Sequence, residues 1–476
     1  MGKKILIIGA GEAGRMVAQE IAANPQLGLE LLGWLDDDAR LVGAEVLGRP
    51  VLGDSEALAR VAREKNVDEV IIAVPSAPGK VVRRLVRICR EARISSKIVP
   101  GIREIVTGDV RISQIRPVNP EDLLGRETVD FHSEAVRRRL AGRTVLITGA
   151  GGSIGSEIAR QVARLAPARL ALLGRGENSI FEIENELRER FPSLPIEGLI
   201  ADIRDRRRLA QIARRLAPQV VYHAAAHKHV PYMEAFPGEA FVNNDLGTRN
   251  LVEFCRQAGA ERMVMLSTDK AVDPLGVMGA SKRLAELLLL EADAGSVAAG
   301  SGTRFISVRF GNVLASRGSV VPLFKRQIES GGPVTVTDPR ATRYFMTIKE
   351  ASQLVLEASA SGSGGEIFIL NMGESVEILE LARLMIQLSG YEPETEIPIT
   401  YTGLRPGEKL HEQLMTRREA EASESGEQLM IIRPRLPEGF QAQRLLAELE
   451  GLLDEDRIPD LARRLLDLAR SMKDLL

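Results

Sequence analysis

Short runs of apolar residues, separated by helix-length stretches, recur from the start of the chain and predict its strands. In the first third these runs cover residues 4–9, 29–36, 68–75 and 96–100. They lack the regular alternation of polar and apolar residues that a strand with one solvent-exposed face shows. This indicates a parallel sheet covered by helices on both sides. We therefore predict an α/β domain over residues 1–125.

A second series of the same kind begins after a charged connector at residues 126–142. Its apolar runs cover residues 143–149, 171–174, 219–224, 263–268 and 305–310. This alternation predicts a doubly wound parallel sheet in a second α/β domain over residues 143–415. Leucines at helical spacing dominate residues 439–476, and we interpret residues 416–476 as a C-terminal helical tail whose last part packs on the body or on a sister subunit.

Composition narrows the range of partners and compartments. The 476 residues carry 63 Lys and Arg against 65 Asp and Glu, a formal charge of −2, so a nucleic-acid partner is not predicted. The two cysteines, Cys89 and Cys255, lie far apart in apolar helical patterns, which gives no disulfide framework and suits a reducing cytoplasm. The first residues enter a strand directly and no window approaches about 20 apolar residues, so we expect a cytoplasmic chain without a membrane span.

The first glycine-rich turn, G-A-G-E-A-G at residues 9–14, lies between a predicted strand and a predicted helix. Gly9, Gly11 and Gly14 would let a pyrophosphate approach the backbone. Asp36 ends the next strand, where it could accept a ribose hydroxyl. Because no catalytic group follows the later strands of this domain, two interpretations stay open: a nucleotide site, or a vestigial or regulatory pocket.

The second turn, T-G-A-G-G-S-I-G at residues 148–155, carries a stronger signal. Its glycines permit close approach to a pyrophosphate, whose charge the free N–H groups of the next helix would meet. Downstream, D-I-R-D at 202–205 places an aspartate near an adenine, and H-A-A-A at 223–226 offers small residues beside a cofactor. The predicted cofactor-binding residues of this site are Gly149, Gly152, Ser153, Ile154, Gly155, Asp202, Ile203, Ala224 and Ala226.

The strand that ends at residue 173 bears on the choice between NAD and NADP. Arg175 follows it and can accept the 2′-phosphate of NADP, whereas Glu177 could serve the free ribose of NAD. Nearby, His223, His227 and His229 have no carboxylate at ligand spacing, so we predict no metal site.

Five motifs occur together in the second domain. They are T-G-A-G-G-S-I-G-S-E (148–157), H-A-A-A-H-K-H-V-P (223–231), S-T-D-K (267–270), R-F-G-N-V-L-A-S-R-G-S-V-V-P (309–322) and L-R-P-G-E-K-L-H-E (404–412). Over about residues 125–414 the chain resembles the extended short-chain dehydrogenase/reductases, and within them the nucleotide-sugar 4,6-dehydratases of polysaccharide biosynthesis. The resemblance implies two Rossmann-like domains, the second with a small C-terminal substrate-binding part. Longer members usually carry transmembrane helices ahead of the first domain; this sequence shows none, so we expect a soluble relative or a trimmed form.

The resemblance implies a reaction on UDP-N-acetylglucosamine or a close UDP-N-acetylhexosamine, with NAD(P)+ tightly bound and recycled. Such an enzyme oxidises carbon 4, removes the carbon 5 proton, expels the carbon 6 hydroxyl and returns the hydride to carbon 6. By resemblance, Lys270 takes the carbon 5 proton, Asp269 protonates the leaving oxygen and Thr268 hydrogen-bonds the carbon 4 oxygen. An acid and a base this close must be held in opposite protonation states by their surroundings.

One position departs from the wider family, in which a tyrosine four residues before a lysine takes the hydroxyl proton. Here Met278 precedes Lys282, and a methionine cannot transfer a proton. The same substitution is tolerated in the long-chain subgroup that this sequence resembles. Asp269, or Thr268 through water, are the candidates for deprotonating the carbon 4 hydroxyl, and Lys282 would hold the nicotinamide ribose.

The resemblance also suggests substrate contacts and partners. Asn312 and the segment 316–322 would cover the uridine diphosphate, and Lys228 would reach the cofactor or the substrate. Arg343 and Arg405 would bind the phosphates, with Glu408 orienting Arg405. The predicted substrate-binding residues are Lys228, Asn312, Arg317, Arg343, Arg405 and Glu408. A homo-oligomer and an association with membrane-bound polysaccharide assembly machinery are expected by resemblance only.

Two other functions stay open. A 4-epimerase shares the oxidation at carbon 4 but needs no acid for carbon 6, so Asp269 argues against it. A nucleotide-sensing scaffold that has lost catalysis is kept open by Met278.

Overall fold

The computed structural model describes residues 2–99, 115–119, 122, 134–300, 302–426, 429–436 and 438–472. The chain divides into two compact units. The first contains the described residues up to 122 together with Leu323–Thr335 and Glu380–Thr400, and the second contains the remainder. Positions 126–133 of the predicted connector lie outside the described residues, and the predicted domain bounds stay predictions.

The first unit is a parallel sheet flanked by helices. Its strands are β1 (Lys3–Ile8), β2 (Leu29–Leu35), β3 (Glu45–Val46), β4 (Arg49–Pro50), β5 (Glu69–Ile72), β6 (Ser95–Ile98) and β7 (Arg116–Pro117), and its helices include α1 (Glu12–Ala23), α2 (Leu58–Lys65) and α3 (Gly79–Glu91). The sheet order is β2-β1-β5-β6-β7, and β7 is the antiparallel edge. Strands β1, β2, β5 and β6 are the four predicted from the apolar runs, and β1 is buried on both faces.

The second unit contains a larger sheet. The later strands of the chain, of which β15 and β20 lie mainly in the first unit, are β8 (Thr144–Thr148), β9 (Arg169–Gly174), β10 (Ile196–Ile200), β11 (Val220–His223), β12 (Arg262–Leu266), β13 (Arg304–Arg309), β14 (Asn312–Val313), β15 (Val334–Val336), β16 (Thr342–Arg343), β17 (Phe345–Met346), β18 (Ile367–Leu370), β19 (Val376–Glu377), β20 (Ile399–Tyr401), β21 (Glu424–Ser425) and β22 (Leu429–Ile432). The order of the nine main strands is β10-β9-β8-β11-β12-β13-β18-β22-β21, and pairing is parallel as far as β18. The chain leaves β8 towards β10 and returns to its other side at β11, which creates a switch point where α/β sheets bind ligands.

Helices cover both faces of this sheet. The remaining helices of the chain, of which α12 and α14 lie mainly in the first unit, are α4 (Glu134–Leu140), α5 (Ser153–Ala163), α6 (Glu177–Arg190), α7 (Arg206–Leu216), α8 (Val230–Ala235), α9 (Pro237–Ala240), α10 (Gly247–Ala258), α11 (Val277–Ala298), α12 (Val320–Glu329), α13 (Ile348–Ser361), α14 (Ile378–Leu388), α15 (Arg417–Ala422), α16 (Ala442–Asp454) and α17 (Ile458–Ser471). In β8, Val145 and Ile147 join the core under α5, α6 and α13, while Leu146 joins the core under α7, α10 and α11. The predicted α/β fold with two Rossmann-like parallel sheets is confirmed.

The C-terminal helices pack against the body of the same chain. Leu446, Leu449, Leu461 and Leu465 of α16 and α17 are at most 1% exposed and share an apolar cluster with Met278 of α11. The long helix α11 is therefore covered on this side by the end of the chain. Within the described residues, no helix combines the length and apolar character that crossing a bilayer requires.

A buried ion cluster joins three parts of the second unit. Arg309 of β13 makes paired bonds of 2.7 Å to Glu286 of α11 and of 3.1 Å to Glu419 of α15. Arg283 donates to Glu286 at 3.0 Å, and Ser267 Oγ donates to the same carboxylate at 2.6 Å. Burial would raise the pKa of Glu286, but the two arginines and Ser267 outweigh it and lower that pKa to about 2.

Candidate active site

A cavity of about 560 Å³ lies at the carboxyl ends of β8, β11, β12 and β13. This is the position that the switch in strand order predicts for a ligand. Fourteen predicted site residues share its wall: Gly149, Gly152, Ser153, Ile154, Gly155, Ala224, Ala226, Lys228, Thr268, Lys270, Met278, Lys282, Asn312 and Arg317. The structure therefore brings most of the predicted cofactor and catalytic residues together.

The glycine turn between β8 and α5 forms a cradle that has no room for side chains. Gly149 has φ +66°, and a Cβ added there would lie 2.7 Å from the backbone nitrogen of Ala225. A Cβ on Gly155 would lie 2.3 Å from the carbonyl oxygen of Gly149. Helix α5 begins at Ser153 and directs its first N–H groups towards this turn. The residues present thus fit the pyrophosphate of a dinucleotide.

Gly155→Ala is expected to abolish retention of a dinucleotide, because the added methyl group collides with the Gly149 carbonyl and must displace the cradle. Cofactor released from the purified protein by denaturation, measured by absorbance, checks this. Gly295→Ala in the same unit is the matched control, since a Cβ there comes no closer than 3.5 Å to another atom. Equal cofactor content in both variants would contradict the prediction that this turn holds the dinucleotide.

The residues predicted to contact the far end of the cofactor lie apart from the cavity wall. Arg175 and Glu177 are exposed at the end of β9 and the start of α6. Asp202 accepts bonds of 2.9 and 3.0 Å from the backbone and side chain of Arg204, which lower its pKa although burial opposes them. Ile203 is 4% exposed, so its side chain belongs to the core. The exposed side chains of Arg175 and Glu177 therefore do not decide between NAD and NADP.

The S-T-D-K motif forms a tight turn after β12. Thr268 Oγ1 donates to Asp269 Oδ1 at 2.8 Å, and Lys270 Nζ donates to the same oxygen at 2.9 Å. Lys270 also donates to Asn312 Oδ1 at 3.2 Å. Asp269 is 0% exposed, and its Oδ2 atom has no hydrogen-bond partner among the described residues. The carboxylate therefore lies behind two side chains that do reach the cavity.

Lys270 has a second anionic neighbour that sequence reasoning did not assign. Its Nζ lies 3.4 Å from Glu412 Oε1. Burial alone would lower the pKa of Lys270, but the charges of Asp269 and Glu412 outweigh it and raise that pKa above its ordinary value. The resting side chain is accordingly an ammonium.

Met278 occupies the wall where the wider family places a tyrosine, and none of the tyrosines in the described part of the chain lines the cavity. Lys282, one helical turn later, is 4% exposed, and burial lowers its pKa to about 8 against the opposing charges of Glu286 and Asp245. Asp245 was also missed from sequence. It is 0% exposed, burial raises its pKa well above the ordinary carboxyl value, and neither of its carboxylate oxygens has a partner among the described residues.

His223 has a structural role. Its Nδ1 and Nε2 atoms lie 2.9 Å and 3.1 Å from the hydroxyls of Thr148 and Thr248, and burial lowers its pKa to about 3. The neutral ring thus ties β8 and β11 to α10 beneath the cradle.

The predicted substrate-binding residues separate into two groups. Lys228 Nζ donates to Ser316 Oγ at 3.3 Å, and Arg317 donates from its backbone to Ser153 Oγ at 3.0 Å, so the segment around residue 316 rests on the glycine turn. Arg343 and Arg405 are not among the cavity-lining residues. Arg405 is exposed, and Glu408 accepts from its backbone nitrogen at 3.1 Å and not from its guanidinium.

The guanidinium of Arg343 is already engaged by the protein. It donates to the carbonyl oxygens of Thr342, Leu410 and Lys409 at 2.7 to 3.0 Å. Its assignment to a substrate phosphate stays a prediction, and such a contact would require some of these bonds to be exchanged.

The turn at residues 9–14 of the first unit is built like the second one. A Cβ on Gly14 would lie 2.0 Å from the Gly9 carbonyl, whereas Gly11 faces open space. Asp36 accepts from the backbone nitrogens of Ala10 at 2.7 Å and Asp38 at 2.8 Å. Its carboxylate therefore braces the turn, and the ribose contact predicted for it is untested.

Residues 145–434 match a family model described as polysaccharide biosynthesis protein, and residues 1–100 match a model described as CoA-binding domain. The chain is 46% identical over 422 residues to a probable polysaccharide biosynthesis protein EpsC of Bacillus subtilis, which is 88% of this chain and 70% of that protein.

More distant relatives carry two different activities in their names. A UDP-N-acetylglucosamine 4,6-dehydratase (inverting) of Campylobacter jejuni is 33% identical over 62% of this chain and 83% of that protein. A UDP-glucose 4-epimerase of Rickettsia rickettsii is 34% identical over 58% of this chain and 79% of its own. Among solved structures, Pen from Bacillus thuringiensis aligns with a TM-score of 0.58 and 33% identity over 66% of this chain and 98% of that one.

Proposed function

This chain belongs to the polysaccharide biosynthesis protein family matched over residues 145–434, and we propose that it removes water from carbons 5 and 6 of a UDP-N-acetylhexosamine, first of all UDP-N-acetylglucosamine. The observation that carries the proposal is the bonding of Asp269 to both Thr268 and Lys270 at the wall of the glycine-cradled cavity. This cluster would put an acid and an amine beside a ligand bound in the cavity, as an elimination requires.

When bound, a nicotinamide dinucleotide would supply the electron acceptor and donor that make the loss of water redox-neutral. The cradle of Gly149 and Gly155 would hold its pyrophosphate, and Lys282 would hold the nicotinamide ribose. Arg175 and Glu177 suit NADP and NAD respectively, so either form is included in the proposal.

Lys270 would remove the proton from carbon 5, which a ketone at carbon 4 acidifies. The ammonium must first lose its own proton, because its two carboxylate neighbours favour the charged form. Asp269 would take that ammonium proton across their 2.9 Å bond, which frees the amine to accept the carbon 5 proton. Because Asp269 is fully buried, it would then give its proton to the carbon 6 oxygen through Thr268, and water leaves. None of the described tyrosines lines the wall, and Thr268 is the hydroxyl that we assign to the carbon 4 oxygen because it stands beside Lys270.

The second candidate is a 4-epimerase, which the Rickettsia relative favours. That reaction uses the same cavity but leaves carbon 6 untouched, so the Asp269 carboxylate would have no role in it. A scaffold without catalysis is the third candidate, which the absence of a cavity tyrosine among the described residues supports.

Incubation of the full chain with UDP-N-acetylglucosamine, followed by mass spectrometry, is expected to give a product lighter by one water. A product of unchanged mass that separates from the substrate by chromatography would indicate the epimerase. No new product from protein that retains its dinucleotide would indicate the scaffold.

For the first unit, the proposal is a regulatory ligand with a pyrophosphate at Gly9, Gly11 and Gly14. The model matched over residues 1–100 supports a nucleotide-containing ligand there. A homo-oligomer and contact with a membrane-bound polysaccharide assembly system stay predictions.

A further inference from the structure

Within the part of the chain that the structure describes, Glu412 is the carboxylate beside Lys270 that comes from a distant segment. Its side chain is 2% exposed, its Oε1 lies 3.4 Å from the Lys270 amine, and its Oε2 has no hydrogen-bond partner among the described residues. Placing a carboxylate in the interior with one oxygen unbonded costs free energy, unless the group is held there by its surroundings.

The backbone before Glu412 is fixed at several points. Thr342 donates from its backbone to Leu410 at 3.1 Å, and its hydroxyl lies 2.9 Å from the His411 ring. Arg343 donates to the carbonyls of residues 409 and 410 at 2.8 and 3.0 Å. Lys409 Nζ donates to the carbonyl of Val272, just after the S-T-D-K turn. Segment 409–412 is therefore tied both to β16 and to the turn that carries Lys270.

The charges around the Lys270 amine come from three elements. Asp269 and Glu412 are anionic and lie at 2.9 and 3.4 Å from it. Arg343, whose Nε lies 3.9 Å from Glu412, and Lys409 are cationic, and Asp273 lies near Lys409. Two carboxylates are thus directed at one amine, whereas the elimination chemistry in the adjacent turn requires only one acid.

Resting on the function proposed above, we propose that Glu412 is a positioning residue that tethers the Lys270 amine to the cavity wall and favours its charged form. Without Glu412, the amine would keep only its bonds to Asn312 and to the Asp269 oxygen that it shares with Thr268. With Glu412 on the other side, the amine is held between two anions and Asn312. Proton loss from Lys270 therefore depends on a charge supplied from the C-terminal part of the unit.

Glu412→Gln keeps the shape of the side chain and removes its charge. In the full chain labelled with lysine carrying 13C at Cε, the Cε resonance that is missing from Lys270→Arg reports the titration of Lys270 without altering its amine. We expect its midpoint in Glu412→Gln to fall by on the order of one pH unit. The limb of the pH–rate profile that rises with Lys270 deprotonation should move the same way, and kcat should change without a change in KM because Glu412 does not line the cavity.

Glu377→Gln is the matched control, because this exposed glutamate lies on β19 opposite Thr342 and carries no contact to the amine. It should leave the midpoint and the profile unchanged. Glu412→Asp withdraws the carboxylate by one methylene, so it should lower the Lys270 midpoint and shift the pH–rate profile in the same direction as Glu412→Gln but by less. If Glu412→Gln does not fold, Glu412→Asp tests the tether in its place.

An unchanged Lys270 midpoint in the Glu412 variants would overturn the tether. The resonance is read without substrate, so this outcome is separate from a failure of the proposed reaction. If UDP-N-acetylglucosamine gives no product but the midpoint falls as expected, the function is wrong and the tether stands.

Discussion

Lys270→Ala is expected to lower the rate of water loss from UDP-N-acetylglucosamine by about a thousandfold, in the middle of the range for removal of a general base. The change deletes the amine that reaches the cavity and the donor to Asp269 and Asn312. Product formation by mass spectrometry measures the first effect. Uptake of solvent deuterium at carbon 5 measures proton removal directly and should fall with it.

The cofactor content of this variant should equal that of the unaltered protein, because the glycine cradle lies on β8 and α5 and not on the S-T-D-K turn. Lys228→Ala is an informative comparison, since it also removes a cavity amine, one that contacts Ser316 and not Asp269. It should weaken ligand binding and leave deuterium uptake measurable. Full activity of Lys270→Ala would remove this lysine from the mechanism.

Arg309→Met is expected to lower the free energy of unfolding by about 3–5 kcal/mol, because it leaves two buried carboxylates without their main partner. Glu286 and Glu419 both lose paired bonds to a side chain that is 1% exposed. Chemical denaturation followed by circular dichroism gives the difference. The exposed pair of Arg464 and Glu448 provides the matched control. Arg464→Met should lower the free energy of unfolding by about 1 kcal/mol or less.

The same substitution should change the response to acid. The folded-state pKa of Glu286 is about 2, below its ordinary value, so its stabilising contribution is present above that ordinary value and is lost as the pH falls towards 2. Without Arg309 the pKa rises and the loss begins at milder acidity. Identical acid unfolding curves for the variant and the unaltered protein would contradict the cluster's role.

Local motifs were enough to predict the glycine cradle and the S-T-D-K turn at the cavity wall. Gly149 and Gly155 and the S-T-D-K turn each lie within a few residues of chain, and their geometry follows from a strand that ends beside a helix or a tight turn. Likewise, unbroken apolar runs identified most parallel strands of both units, because burial on two faces leaves no polar alternation, but β10 and β18 were not predicted.

The parts of the site that were not predicted depend on contacts between remote segments. Glu412 stands in a motif that the sequence analysis quoted, yet its place beside Lys270 follows from the pairing of Thr342 and Arg343 with residues 409–411. The bond from Arg309 to Glu419 spans 110 residues. Arg343 looked suited to a phosphate, but its donors are directed to backbone carbonyls, and no local pattern indicates that.

The packing of α16 and α17 on α11 has a practical consequence for anyone who shortens this protein. Helix α11 lines the cavity with Met278 and Lys282, and its Met278, Leu284 and Leu288 share an apolar cluster with leucines of α16 and α17. Arg283 of the same helix donates to the Met472 carbonyl at 2.8 Å. A truncation at residue 434, where the matched family region ends, would expose this apolar surface of α11. Such a truncated protein would be prone to aggregate, and its loss of activity would not be evidence about the catalytic residues.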